Sequence, residues 1–243
     1  MIACVDSEPC KHLYPEVLMP LRGRAFLSMW SGVLQGYERE LDRWHTIEHM
    51  PERLGVPGFL RGRRYMHTGA SDHPLFVLYE AAHIETFRSP GLLARLNDPT
   101  EWSKKVQPGL VNFVRSPCHT LISLGDGLGG ALMAIRISGD IANTAEVSHS
   151  LASAAPAIAR FHGVSAVHIG QHVPEIASGE TAETRLRPAA AAPRFTYVVL
   201  VEGIGSRELD EAMPNVVDIA TAASSGTCEA GVYRLAYLLE AAG

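Results

Sequence analysis

Long apolar runs are missing from this chain. No stretch approaches the roughly 18 uninterrupted apolar residues of a spanning helix, so no membrane partner is expected. Basic runs are missing too, apart from Arg61-Gly62-Arg63-Arg64. With 21 Lys and Arg against 26 Asp and Glu, the net charge is -5, and a nucleic-acid partner is not expected. Cysteine is scarce. Cys4, Cys10, Cys118 and Cys228 are scattered, Cys4 and Cys10 stand too far apart for a CxxC pair, and no neighbouring residues complete a metal set. Reduced thiols in a cytoplasmic protein are the simplest reading. The first twenty residues lack a basic start followed by an apolar run, so no secretory signal is expected. Gly125 to Gly130 superficially resembles a nucleotide loop, but it precedes a strand instead of opening a helix, which excludes that reading.

What is present is an ordinary globular composition, 47% hydrophobic and 19% charged, in a chain of 243 residues long enough for a substantial core. Residues 1–22 hold three prolines and read as an N-terminal extension. The pattern of apolar runs and Gly/Pro punctuation then predicts a strand over 24–30 and a helix over 37–54. Strands over 59–68 and 75–81 follow, then an interrupted helix over 85–105 and a strand over 110–124. That β-α-β-β-α-β order is the split unit of a ferredoxin-like sheet. After a glycine-rich linker at 125–130 the order returns: strand 131–138, helix 144–160, strands 163–173 and 195–202, helix 206–222 capped by Ser206, and a last strand over 231–239. Gly58 and Gly163 stand at matching places in the two halves. The expected organisation is therefore a first repeat over 23–124 and a second, degenerate one over 131–243, packed as one α+β barrel. The loop from Pro174 to Arg194 is long, rich in Ala, Pro and Glu, and expected to be mobile.

Residues 44–65, WHTIEHMPERLGVPGFLRGRRY, concentrate titratable and aromatic side chains as no other segment does. At 100° per residue Tyr37, Leu41, Trp44, Glu48 and Glu52 share one helix face, with His45 at its edge. His45 and His49 lie one turn apart, so they share a side. A core-facing Glu48 would have its pKa raised by desolvation, toward the range useful for proton transfer; a salt bridge to Arg63 or Arg64 is the purely structural alternative. Arg53, Arg61, Arg63 and Arg64 could clamp an anion. Strand alternation puts Arg61 and Arg63 on one face and Arg64 on the other, and at least two of the four arginines are expected on a solvated outer face. His45-Thr-Ile-Glu48-His49 also fits H-x-x-E-H, a zinc spacing, but Pro51 interrupts the helix and no third ligand is apparent, so no metal is assigned.

This stretch resembles the signature of EthD-like proteins of the dimeric α+β barrel superfamily: a Trp, a Glu-His-x-Pro run, then Pro-Gly-Phe and an Arg-rich strand. The resemblance covers about residues 22–122; the second half keeps only the order of elements, with Phe161-His-Gly163 in place of Val56-Pro-Gly58. It implies an α+β fold of two tandem ferredoxin-like βαββαβ repeats, a dimeric-α+β-barrel-type fold within one chain, with a ligand held between sheet and helices of the first repeat. The implied catalytic residues are His45, Glu48 and His49. Trp44, Arg53, Arg64, Tyr65 and Tyr79 are the candidate substrate-binding residues. Together these point to an enzyme without a cofactor, acting on a small aromatic or polyketide-like metabolite by His/Glu acid-base chemistry of the dehydratase, isomerase or lyase type. The alternatives are a non-catalytic small-ligand-binding or dimerisation barrel, and a heme- or metal-dependent oxidoreductase, with His149, His162, His168 and His172 as the candidate heme ligands that the superfamily resemblance implies. The partner is a small-molecule substrate, and a homodimer is the one further assembly considered.

Overall fold

The protein is described by a computed structural model over residues 20–139, 143–176, 179–189 and 192–242. Most of the expected N-terminal extension, with Cys4 and Cys10, lies outside the described residues. Residues 20–22 belong to the fold: Leu21 is fully buried, and the Arg22 backbone N–H donates to the Glu80 carboxylate at 2.6 Å.

Eight strands form the body: β1 (Ala25–Val33), β2 (Phe59–His67), β3 (Leu75–Ala81), β4 (Leu110–Gly125), β5 (Ala131–Ser138), β6 (Val164–His172), β7 (Tyr197–Gly203) and β8 (Thr227–Glu240). All pairings are antiparallel, in the order β1-β3-β2-β8-β5-β7-β6-β4, and β4 returns to β1 to close a barrel. Within each half the order is fourth, first, third, second strand, as in a ferredoxin-like sheet. The halves join edge to edge through β2 with β8 and β4 with β6, so no sheet edge is left open to another chain. The fold is that of a dimeric α+β barrel, built from one chain.

The helices cover the outside. The first half carries α1 (Glu38–Trp44), a π-helical turn (His45–His49), α2 (Met50–Leu54), α3 (Pro90–Asn97) and α4 (Glu101–Val106); the second carries α5 (Thr144–Ile158) and α6 (Ser206–Ser224). Side-chain hydroxyls of Ser89 and Thr100 cap α3 and α4, and the Asn143 amide caps α5. Ser206, expected as a cap, is instead the first residue of α6, with Gly205 at the cap position. Gly58 (φ 98°) and Gly163 (φ 80°) take the left-handed turn before β2 and β6, and a Cβ on Gly58 would meet the Thr86 hydroxyl at 2.6 Å.

Barrel closure covers the inner face of the sheet, and the helices cover the outer face of the central strands in each half. β3 and β7 are accordingly buried at every residue. Phe26, Trp30, Tyr65, Phe76 and Leu200 fill the barrel interior, while Leu27, Val77 and Tyr79 face the helices of the first half. On the second half Leu151 and Ile158 of α5 and Leu209 and Val216 of α6 pack directly on the sheet. The expectation of a solvated arginine face fails for this reason: Arg53, Arg61, Arg63 and Arg64 are all at most 4% exposed.

Arg61 and Arg63 do share a face, and it is the barrel interior. The Glu80 carboxylate accepts from Arg61 at 2.6 and 2.8 Å and pairs with Arg63 at 2.8 Å; Arg63 reaches across to Glu202 of the other half at 2.7 Å. Glu202 also accepts from the Gly129 backbone N–H (2.8 Å) and from His168 Nε2 (3.1 Å). A carboxylate only accepts, so His168 Nε2 carries a proton toward Glu202, while its Nδ1 and the Ser123 hydroxyl share a hydrogen bond at 2.8 Å. Burial alone would raise the Glu202 carboxyl; Arg63 and His168 bring it down to about 2.

Candidate functional site

A cavity of about 420 Å³ lies between the outer face of the first-half sheet and its covering helices. Its walls are mostly aliphatic and aromatic: Leu27 and Met29 of β1, Val77 and Tyr79 of β3, Phe113 of β4 and Leu92 of α3. The long loop between β6 and β7 supplies the remaining wall. Rather than standing away from the body, residues 179–189 lie against the first half: the Glu183 backbone N–H donates to Leu96 (2.9 Å) and that of Ala182 to the Asn97 side chain (3.2 Å).

Trp44, His45, His49, Arg53 and Tyr79 of the sequence-predicted residues line this cavity; Glu48, Arg64 and Tyr65 do not. The π turn explains part of the division. It inserts one extra residue into a helical turn, so the face expected at 100° per residue slips where the HTIEH segment begins. His45 and His49 turn inward to 4% and 7% exposure. The His49 ring stacks on Trp44 with centroids 4.2 Å apart and lies 5.4 Å from the His45 ring. Glu48 turns toward α4, where it accepts from Thr100 Oγ1 (2.5 Å) and from the Trp44 indole (3.2 Å). That indole also donates to Ser103 at 3.2 Å. Glu48 thus fixes the tryptophan against which His49 rests. Arg64 leans outward to Asp42 (2.9 Å) and over the Tyr237 ring, and Tyr65 accepts from Arg63 inside the barrel (2.9 Å).

Four side chains that line the cavity carry a buried polar atom with no partner among the described residues: His45 Nδ1, His49 Nδ1, the Tyr79 hydroxyl and Gln107 Oε1. An unmet buried polar atom costs roughly 1–3 kcal/mol, so this concentration is expensive unless something occupies the space beside it. Burial pushes the His45 imidazole down to about 3, with the Arg64 and Arg53 charges adding to the effect; burial, Arg53 and His45 push His49 down as well. Both rings are therefore neutral near pH 7, able to accept a proton. Burial moves the Tyr79 phenol the other way, so it stays protonated and able to donate.

These shifts predict an acid sensitivity. A folded-state pKa below the ordinary 6.5 means the unfolded chain takes up protons first. The stabilisation is whole above about pH 6.5 and is lost as pH falls toward the folded value, by up to about 1.4 kcal/mol per pH unit for each ring. Urea midpoints of the wild type are expected to fall between pH 6.5 and 4.5, a window in which carboxylates such as Glu52, raised by burial, titrate alike in both proteins. A His45→Asn/His49→Asn double variant should fall less steeply by up to twice that slope; a profile parallel to the wild type would refute the buried-neutral assignment. His73 and His172 are also depressed by burial and supply a slope common to both proteins.

Sequence reasoning missed three charged residues at this site. Glu183, from the long loop, bonds Arg53 and accepts from Arg187 at 3.4 Å; Arg53 also bonds Glu52 at 3.2 Å. Arg187 stacks on Phe113 at 3.9 Å. Among the described residues, Arg115 of β4 donates only to the backbone carbonyls of Phe87 (3.2 Å) and Ile176 (3.4 Å). The one available signal was the length of the loop itself, since structureless loops that long are commonly functional. Among the described residues no group of three His, Cys, Asp or Glu converges as metal ligands would. Of the second-half histidines, His168 and His172 are already bonded to Ser123 and Ser116, and His149 and His162 are exposed.

No family model and no curated protein sequence matches the chain. Solved structures do. An anthrone oxidase-like protein aligns over 90% of this chain and 93% of its own, at 11% identity and a TM-score of 0.61. A provisionally named monooxygenase from Lactobacillus acidophilus NCFM aligns over 89% and 96%, at 8% identity and TM-score 0.53. A provisionally named chlorite dismutase aligns over 88% and 96%, at 14% identity and TM-score 0.51. All are dimeric α+β barrels, and the chain shares that fold with them along nearly its whole length.

Proposed function

We propose that the protein is a cofactor-independent enzyme that moves a proton on a small aromatic or polyketide-like metabolite bound in the first-half cavity. The carrying observation is that His45 and His49 each bury a ring nitrogen, Nδ1, with no partner among the described residues, beside the Tyr79 hydroxyl, which likewise has none, in a mostly apolar chamber. The EthD-like resemblance of residues 44–65, where both histidines lie, supports the same reading.

In this reading the planar substrate lies among the aliphatic and aromatic walls, which displace water from it. A neutral imidazole, His49, takes a proton from an acidic C–H; the C–H electron pair stays on the substrate as an enolate or phenolate. Tyr79 donates to the oxygen that gains charge, and the Arg53 guanidinium adds its field. The depressed basicity of the two rings comes from burial and the neighbouring arginine charges. An anion formed beside the imidazolium is the counter-charge that makes the proton transfer favourable. Return of the proton to a different carbon gives isomerisation, and loss of a β-leaving group gives dehydration or a lyase reaction. Glu48 is a positioning residue that acts through Trp44.

The test follows the proton. Anthrone, the compound in the name of one structural neighbour, has an acidic methylene and serves as a probe. Incubated with the protein in D2O under anaerobic conditions, it is expected to exchange that methylene hydrogen at least about a hundredfold faster than in buffer, the lower end of general-base catalysis. Measurable binding with no acceleration of exchange, there and on β-diketone probes of similar size, would make the protein a ligand-binding barrel instead.

A further inference from the structure

Charge around the cavity does not balance. Arg53, Arg115 and Arg187 line it, and the buried Glu183 is shared between Arg53 and Arg187, with Glu52 behind Arg53. Glu180 also borders the space, but it is exposed and reaches out to Arg185 at 3.5 Å. Arg115 is left over. Its two guanidinium contacts are backbone carbonyls, and no carboxylate among the described residues pairs with it. A guanidinium presents five donors in a planar fork that fits a carboxylate bidentately, and two neutral carbonyls use only part of it. An unpaired cation in a largely apolar chamber is costly to keep, and it faces the space that the ligand would fill.

From this geometry we infer that the ligand of the cavity carries an acid group, a carboxylate on its aromatic or polyketide-like skeleton, and that Arg115 is its anchor. The inference rests on the cavity being a ligand site, as proposed above, and adds the chemical class of what it takes. The hydrocarbon part lies among Leu27, Val77 and Leu92, and the carboxylate points toward β4 and the long loop, where Arg187 adds a second positive field. Burial, with Arg187 and Arg53 close by, pushes the Arg115 guanidinium down to about 10, a strain that a bound carboxylate relieves.

Matched ligands decide the matter. 3-Hydroxy-2-naphthoate and its neutral amide have the same skeleton and differ in the charge of one group. Calorimetric titration of the full chain is expected to show the acid bound at least tenfold more tightly than the amide. Arg115→Gln, which keeps a donor for the two carbonyls, is expected to reduce that ratio to below threefold. Amide binding by the variant certifies that its cavity is intact. Arg115→Lys, which keeps the charge without the fork, should retain a preference between the two and guards against a folding defect in the first variant. Equal binding of acid and amide by the wild type would overturn the acid-anchor inference while leaving the cavity a ligand site. A tenfold preference that survives Arg115→Gln would overturn the anchor's identity. If neither compound binds at millimolar concentration, the inference and the ligand-site reading fail together.

Discussion

His49→Gln is expected to lower the enzyme-accelerated exchange rate by about 10²–10⁴-fold, the range lost when a positioned general base is removed. Glutamine keeps a polar group of similar length against Trp44 and removes the proton acceptor. The effect should fall on kcat, with KM changing little, because the ring contributes to the transition state more than to ground-state packing. Folding is the control. His49 makes no hydrogen bond through Nδ1 within the described residues, so its replacement gives up no protein partner there, and the melting temperature near pH 7 should stay within a few degrees of the wild type. His45→Gln separates the two rings: a loss confined to His49 assigns it as the base, and equal losses assign a relay across the 5.4 Å between the rings. Full exchange activity in the folded His49→Gln/His45→Gln double variant would sink the proton-transfer reading.

Much of this architecture was legible in the sequence, and the reason is local. The β-α-β-β-α-β order appears twice because Gly58, Gly163 and the Gly/Pro clusters punctuate segments whose apolar period changes between 2 and 3.6. That Trp44, His45, His49 and Arg53 would turn inward together was legible as well, since a helix crowded with them has few reasons to exist on a solvated surface, and all four line one cavity. What escaped was everything set by contacts far apart in the chain. At least two of Arg53, Arg61, Arg63 and Arg64 were expected on a solvated face, because strand alternation says which residues share a side and says nothing of what covers that side. Barrel closure supplied the cover, and Glu202 supplied a counter-charge 139 positions from Arg63. Glu183 meets Arg53 across 130 positions, a pairing that no local pattern encodes. Glu48 was placed on the core face because a regular 3.6-residue period was assumed through His49, and the π turn breaks that period.

The largest expected stability change lies far from the cavity, at Arg63. Its guanidinium is fully buried in the barrel interior and joins Glu80 of the first half to Glu202 of the second. Arg63→Met is close in length, so the loss is chiefly electrostatic. Among the described residues it leaves Glu202 with only His168 and the Gly129 N–H, and Glu80 with Arg61 and the Arg22 N–H. Breaking a buried pair by removing one partner costs about 3–5 kcal/mol, because the remaining charge is stranded. Arg63→Met should therefore lower the unfolding free energy by that amount at pH 7, measured by urea denaturation. The sign of the pH dependence is a second check. The depressed Glu202 carboxyl contributes stability that is present above its ordinary pKa near 4.5 and is lost as pH falls toward about 2. Without Arg63 that acid-labile contribution shrinks, so the gap between variant and wild type should narrow in acid. Adding Glu202→Gln to Arg63→Met removes the stranded carboxylate and is expected to recover part of the loss, giving a double-mutant coupling of about 1–3 kcal/mol. Single and double variants that both unfold within 1 kcal/mol of the wild type would mean that apolar packing, and not this ion pair, holds the two halves of the barrel together.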